Sequence, residues 1–368
     1  MRSLGLDVFR TISIFVVVLA HSLFFFREKA PIIFQFIVNL GQWGVNFFFV
    51  LSGYLIGCIM IKMLEGEQCT KKIDIFILRR WLKTLPEYYL VLVFFFIFVT
   101  FPSDFLAYVF FYKGFELHDT NILGVAWSLY IEELFYLICA ALIYMLYKLN
   151  VKNIKRSLLI FCCLIISFSI GIRLYFYLNS AYEVYKYVEF YKTCLVRLDA
   201  PIFGLMIAVI QCYYTNIYNF LQKNKYKIFI VSVFFILFSL DLNPGMDTHD
   251  TVFISKWGYR VFNDNFFKYV LFFAFSAFAS AGLLFAFISF PEVTSSRFKA
   301  FFLYISQSSY AVYLIHADIL LTLSKTYTNT SITLRLLLAF FLIYSISYLM
   351  VRFVEWPILA WRDRRFPL

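Results

Sequence analysis

The chain alternates long apolar runs with short polar breaks, and the run lengths set the first expectation. A helix needs about 20 consecutive apolar residues to cross the hydrocarbon core of a bilayer. By that measure the pattern predicts about ten spans, at 6–26, 36–61, 76–101, 122–147, 157–178, 194–214, 226–242, 266–289, 302–323 and 333–355. The run "FLAYVFFY" (105–112) is too brief to span and is assigned to the interface. Gly41 and Gly44 interrupt the second span, with polar Asn39, Gln42 and Asn46 beside them. Irregular backbone at membrane depth is tolerated only against protein or a wet cavity. "NLGQWGVN" therefore reads either as a cavity wall or as a short interfacial helix ahead of a shorter span.

The expected fold is all-α, a polytopic membrane protein with about ten transmembrane helices. It forms one membrane-embedded domain over residues 1–368, with no appended soluble domain. Composition agrees. Hydrophobic residues make up 62% of the 368 and charged residues 15%, where a soluble domain carries about 25% charged. Forty-nine Phe and 27 Tyr exceed what one soluble core would hold. The first run lacks a small-residue cleavage site and reads as a permanent helix, not a signal peptide. The seven cysteines (58, 69, 139, 162, 163, 194 and 212) have no metal or disulfide spacing and read as small buried hydrophobes.

Charge sets the orientation. The tails and the loops after spans two, four, six and eight hold about twice the Lys and Arg of the opposite loops, which places both termini in the cytoplasm. The net charge of +11 requires no nucleic-acid partner, because anionic lipid at the inner leaflet attracts such loops.

The candidate chemistry lies in polar residues within the apolar runs. "GLDVFRTISIFVVVLAHS" (5–22) holds Arg10 and His21, eleven positions apart. At 100° per residue they share one helix face, about 16 Å apart along the axis. "WSLYIEELFY" holds adjacent Glu132 and Glu133, only one of which faces a given partner well. "VRLDAPIFG" holds Arg197 and Asp199, and "SYAVYLIHAD" places His316 near the depth of His21. A lone histidine in a helix is commonly structural. A histidine and a carboxylate at matching depth form an acid–base pair, the carboxylate orienting the imidazole. "LRRWLKTLPEYY" sets Arg79, Arg80 and Lys83 in one turn. They read either as a positive-inside anchor or as a cradle for phosphates. Arg173 and Arg352 sit at span ends, where snorkelling accounts for them. Trp43, Trp127, Trp257 and the tyrosines of "AYEVYKYVEFYK" (181–192) are aromatic surfaces for a sugar, or an ordinary interfacial belt. His118 and His249 fall in loops and are given no catalytic part.

Six motifs in order across nearly the whole chain resemble the acyltransferase-3 family of membrane O-acyltransferases. They are "GLDVFRTISIFVVVLAHS", "GVNFFFVLSGYLIG" (44–57), "WSLYIEELFY" (127–136), "RLDAPIFGLMIA" (197–208), "YAVYLIHA" (310–317) and "VEWP" (354–357). The resemblance implies transfer of an acyl group, most often acetyl, from cytoplasmic acyl-coenzyme A to a hydroxyl of an envelope glycan such as lipopolysaccharide O-antigen. It implies a multi-pass protein of the bacterial inner membrane, with acetyl-coenzyme A as donor substrate and no resident cofactor or metal. Arg10 and His21 match the residues regarded as essential there. The family often shows two arginines three apart at the start of the third helix, whereas this chain has Arg80 and then Lys83. The absence of the hydrolase-like domain that some relatives append favours lipid-linked or lipopolysaccharide sugars over peptidoglycan.

The expected mechanism places the donor phosphates near Arg79, Arg80 and Lys83. Arg10 holds the thioester arm or polarises its carbonyl, and His21 acts as general base, oriented by Glu132 or Glu133. Trp127, Ser128, Arg197, Asp199, Tyr313 and His316 are the candidate substrate-binding residues. Direct transfer and a covalent acyl-enzyme stay open. So do a proton-coupled transporter using the same polar residues as a relay and acylation of a small hydrophobic metabolite.

Overall fold

Hydroxyl and amide side chains set where several of the helices begin. Ser3 accepts from the Leu6 amide to start α1 (Leu4–Ser22), and Asn153 accepts from Arg156 to start α6 (Ile154–Leu178). Ser295 and Ser331 do the same for α11 (Ser296–Lys325) and α12 (Ile332–Met350). Each satisfies one of the backbone donors that a helix start leaves open. The computed structural model describes residues 3–26, 31–66, 69–99, 105–115, 124–179, 193–239, 266–291, 295–326 and 330–367.

The remaining helices are α2 (Pro31–Glu65), α3 (Cys69–Phe98), α4 (Phe105–Val109), α5 (Trp127–Lys148), α7 (Asp199–Tyr213), α8 (Thr215–Lys223), α9 (Lys225–Ser239), α10 (Phe272–Ser289) and α13 (Trp356–Arg365). A 3₁₀ turn, Cys194–Arg197, leads into α7. A π turn, Val351–Glu355, joins α12 to α13. Among the described residues eight helices are long and apolar enough to cross a membrane, and no strand occurs. The protein is an all-α polytopic membrane protein. The two other predicted spans coincide with α9, which reaches the edge of the described residues, and with α11, whose 30 residues are long enough but more polar.

α1, α2, α5, α7 and α10 are buried over more than half of their spans and form the centre. α3, α6 and α12 are mostly exposed and present Phe94, Phe98, Leu164, Phe168, Leu337 and Phe341 outward. With no hydrophobic drive between helices in lipid, close packing of small residues holds such a centre together. Gly53 of α2 lies against the Pro201 carbonyl of α7, and Gly204 of α7 lies against the Val50 carbonyl of α2. A methyl group at either position would collide with backbone.

Two sequence expectations change here. Gly41 and Gly44 interrupt nothing, since α2 runs through them without a break. They let α1 approach closely instead, with Ala20 against Gly41 and with Val17 and the Ser13 carbonyl against Gly44. The last span does not stop at 355. The π turn and Pro357, in the first turn of α13 where a missing amide costs little, carry the helical path on to Arg365.

The "FLAYVFFY" run forms α4 and a turn packed against α3. Tyr88 donates to the Tyr108 carbonyl (3.0 Å) and Tyr89 to that of Val109 (2.9 Å). Of the cysteines, 139, 162 and 194 are buried as expected, while Cys163 and Cys212 are exposed.

Candidate active site

α1 is the spine of the site. It is continuous from Leu4 to Ser22, so the rise per residue sets Arg10 and His21 about 16 Å apart along its axis. Both are half-buried. The helix is held on one side by Gly41 and Gly44 of α2. On another, Ser306 of α11 donates to Asp7 (2.7 Å) and Thr11 donates to the Phe302 carbonyl (3.4 Å).

At the far end of α1, His21 meets a second histidine. His21 Nδ1 lies 2.9 Å from the Val17 carbonyl oxygen and 3.3 Å from His316 Nε2. The two rings stand edge to face, 4.8 Å between centroids. His316 Nδ1 lies 2.8 Å from the Tyr313 carbonyl oxygen and 3.2 Å from that of Val312. Beside it, the Tyr313 hydroxyl is 2.7 Å from Ser128 Oγ, which also donates to the Val125 carbonyl (3.1 Å). Trp127 stands edge-on to Phe49. His316, Ser128, Tyr313 and Trp127 are buried, so His21 is the half-exposed member of this group. The sequence placed His21 and His316 at one depth, and the structure brings them into contact.

At the other end, Arg10 belongs to a cluster of opposite charges. Glu132 accepts from Ser52 (2.8 Å) and Tyr136 (3.0 Å), within electrostatic reach of Arg80 and Arg10. Glu133 accepts from Thr84 (2.8 Å). Arg80 lies over the Tyr136 ring, 5.6 Å from its centroid. Lys83 is paired with Glu355 of the π turn, and the charges of Glu87, Arg10, Arg362 and Arg80 act on it. Pro86 sits inside α3, and the next residue, Glu87, is buried with no hydrogen bond to either carboxyl oxygen among the described residues.

This differs from the sequence expectation in three ways. The glutamates take hydroxyls of α2, α3 and α5 as partners, and His21 meets the Val17 carbonyl and His316 rather than a carboxylate. α5 begins at Trp127, five residues later than expected, and its carboxylates fall at the Arg10 end. Arg79 does not join Arg80 and Lys83 in one cradle: it donates to Asp363 (2.8 Å) and to the Phe366 carbonyl (2.5 Å), clamping α13. Arg362 of that helix joins the cations instead, its charge acting on both Arg80 and Lys83. The sequence did carry a signal for it in "RDRR", a basic run that reads equally well as a membrane anchor.

Arg197 and Asp199, expected at the substrate, are 0% exposed and bind neighbouring helices. Arg197 donates to Asn46, which donates to Ser276 of α10 (3.0 Å). Asp199 pairs with Arg173 of α6 at 2.7 Å. Arg173 also donates to the Val196 carbonyl (3.1 Å) and is fully buried, so it does not snorkel. The Phe273 ring lies 5.5 Å from the Arg173 guanidinium and 4.7 Å from that of Arg197. Trp43 is buried against Phe47 and offers no face to a sugar. Trp257, His118, His249 and the 181–192 tyrosines lie outside the described residues.

The family model of an acyltransferase domain matches residues 3–352, a stretch that includes both ends of α1, the histidine pair and the Arg80–Lys83 turn. The chain belongs to the acyltransferase-3 family. No curated protein and no solved structure matches it. In this membrane acyltransferase, five of the six motifs that carried the resemblance supply two polar groups, and the sixth supplies the buried Arg197 and Asp199. Arg10, Ser52, Glu132, Glu133 and Glu355 gather at one end of α1, and His21 and His316 at the other.

Proposed function

We propose that this acyltransferase moves an acetyl group from cytoplasmic acyl-coenzyme A to a hydroxyl of an envelope glycan, such as lipopolysaccharide O-antigen, at the bacterial inner membrane. The observation that carries the reading is the division of α1. Arg10, Arg80, Lys83 and Arg362 gather with Glu132, Glu133 and Glu355 at one end, and a half-exposed imidazole backed by a second imidazole stands at the other. Arg80, Lys83 and Arg362 offer the positive charge that the donor's phosphates need. The positive-inside loops put that end in the cytoplasm. The pantetheine arm is about as long as the 16 Å rise from Arg10 to His21, so one path joins an inner donor to an outer acceptor. Family membership favours transfer over transport.

His21 Nε2 takes the proton of the acceptor hydroxyl as its oxygen bonds to the thioester carbonyl carbon. The carbon–sulfur bond then breaks, its electron pair leaves on the coenzyme A sulfur, and that sulfur takes the proton from His21. The acetyl group ends on the glycan oxygen and coenzyme A leaves as the thiol. Arg10 lies on the donor side, where it holds the arm.

General-base catalysis contributes about 10²- to 10⁴-fold, so His21→Ala is expected to lower acetyl transfer in washed membranes by that factor. Near wild-type transfer by the variant removes the role. NMR of the host's envelope polysaccharide, with and without the gene, identifies the acceptor. Unchanged glycan acetylation overturns the choice of a glycan.

A further inference from the structure

The hydrogen-bond pattern of the two histidines fixes where their protons sit. A backbone carbonyl oxygen only accepts. His316 Nδ1 faces two of them, those of Tyr313 and Val312, so this nitrogen carries the hydrogen. In a neutral imidazole the other nitrogen is then an acceptor. That atom, His316 Nε2, faces His21 Nδ1. His21 Nδ1 also faces the Val17 carbonyl oxygen at 2.9 Å. Two acceptors thus converge on one nitrogen, which must bear the hydrogen in a shared, three-centre bond. The opposite assignment sets a nitrogen lone pair against a carbonyl oxygen on both rings.

We infer that His316 is a positioning residue that holds His21 in the tautomer with hydrogen on Nδ1, leaving the lone pair on Nε2 to receive the acceptor's proton. The inference rests on the reading of His21 as the base. In hydrolytic triads a carboxylate performs this task. Here a fully buried neutral imidazole does so without adding a second charge at membrane depth. When His21 gains its second proton, Nδ1–H still points at the same two acceptors, so the imidazolium needs no rearrangement. This also separates the two histidines by role: His21 reaches the substrate, and His316 acts through His21.

The test is nitrogen NMR of the full-length protein in lipid with isotope-labelled histidine, read without substrate. The His21 and His316 signals are assigned by His21→Gln and His316→Gln. Hydrogen on Nδ1 of both rings is expected, and His21 with hydrogen on Nε2 overturns the inference. Kinetics give a second readout. The Gln oxygen of His316→Gln reaches near the position of Nε2 and preserves the acceptor, so kcat should stay within about threefold of wild type. His316→Leu, which removes the acceptor, should lose about 10- to 100-fold in kcat, with KM for acetyl-coenzyme A within about twofold. Equal losses in the two variants overturn the positioning role. Should His21→Ala stay active while the NMR shows the expected tautomers, the acetyl-transfer role of His21 fails and the tautomer assignment stands.

Discussion

Arg362 of α13 lies at the Arg80–Lys83 end of the site. It donates to Asp363 (2.8 Å) and to the Arg79 carbonyl (3.4 Å), and its charge acts on Arg80 and Lys83. It lies at the opposite end from His21, so its removal should weaken donor binding and spare the chemistry. Arg362→Gln is expected to raise KM for acetyl-coenzyme A about three- to tenfold, with kcat within about twofold, the size of a partly screened charge contact. The effect should shrink only partly in high salt, because Arg362 is 15% exposed and partly buried charges are screened less than surface ones. A fall in kcat with KM unchanged would move Arg362 out of the donor site. At this scale the sequence showed which polar residues interrupt apolar runs, and so it found Arg10, His21 and His316. It did not show partners, because a helical wheel gives the face of a residue but not the rotation of the helix beside it. The sequence therefore pairs the imidazole of His21 with a carboxylate that, in the structure, faces α2 and α3.

Helix contacts make a sharper separation among glycines. Gly204 and Gly53 touch the backbone of the facing helix, whereas Gly171 of α6 has no neighbouring atom within 4 Å of an added Cβ. Gly204→Ala forces α2 and α7 apart and is expected to cost about 1–3 kcal/mol, the range for overpacking. Gly171→Ala relieves the helix of a flexible residue and should gain up to about 1 kcal/mol. Thermal unfolding in detergent measures both, and equal effects would refute this picture of the crossing. The ten apolar runs located helices well because run length is set by bilayer thickness and not by tertiary detail. The glycines in α2 were harder to read, since the same residue can break a helix or let two helices meet. In a membrane, where water does not compete for the backbone, the second use prevails.

Across the whole molecule, a third polar group ties together helices beside the two polar ends of α1. Arg173 and Asp199 form a salt bridge with both side chains fully buried, while Arg197, Asn46 and Ser276 link α7's lead-in turn to α2 and α10. The same α2 carries Ser52, which holds Glu132 beside Arg10 and Arg80. Breaking a buried pair by removing one partner strands the other charge, at about 3–5 kcal/mol, whereas replacing both with apolar residues is often neutral. Arg173→Met should therefore lower the unfolding midpoint sharply, and Arg173→Met with Asp199→Leu should recover most of the loss. A double variant whose loss equals the sum of the two singles would show that the pair is not coupled. Activity distinguishes this group from the site. Per mole of folded protein, the double variant should keep kcat within about twofold of wild type, because the network sets how α2, α6, α7 and α10 meet. A selective loss of kcat, with stability restored, would instead bring Arg197 and Asp199 back to the substrate, where their motif first suggested they belong.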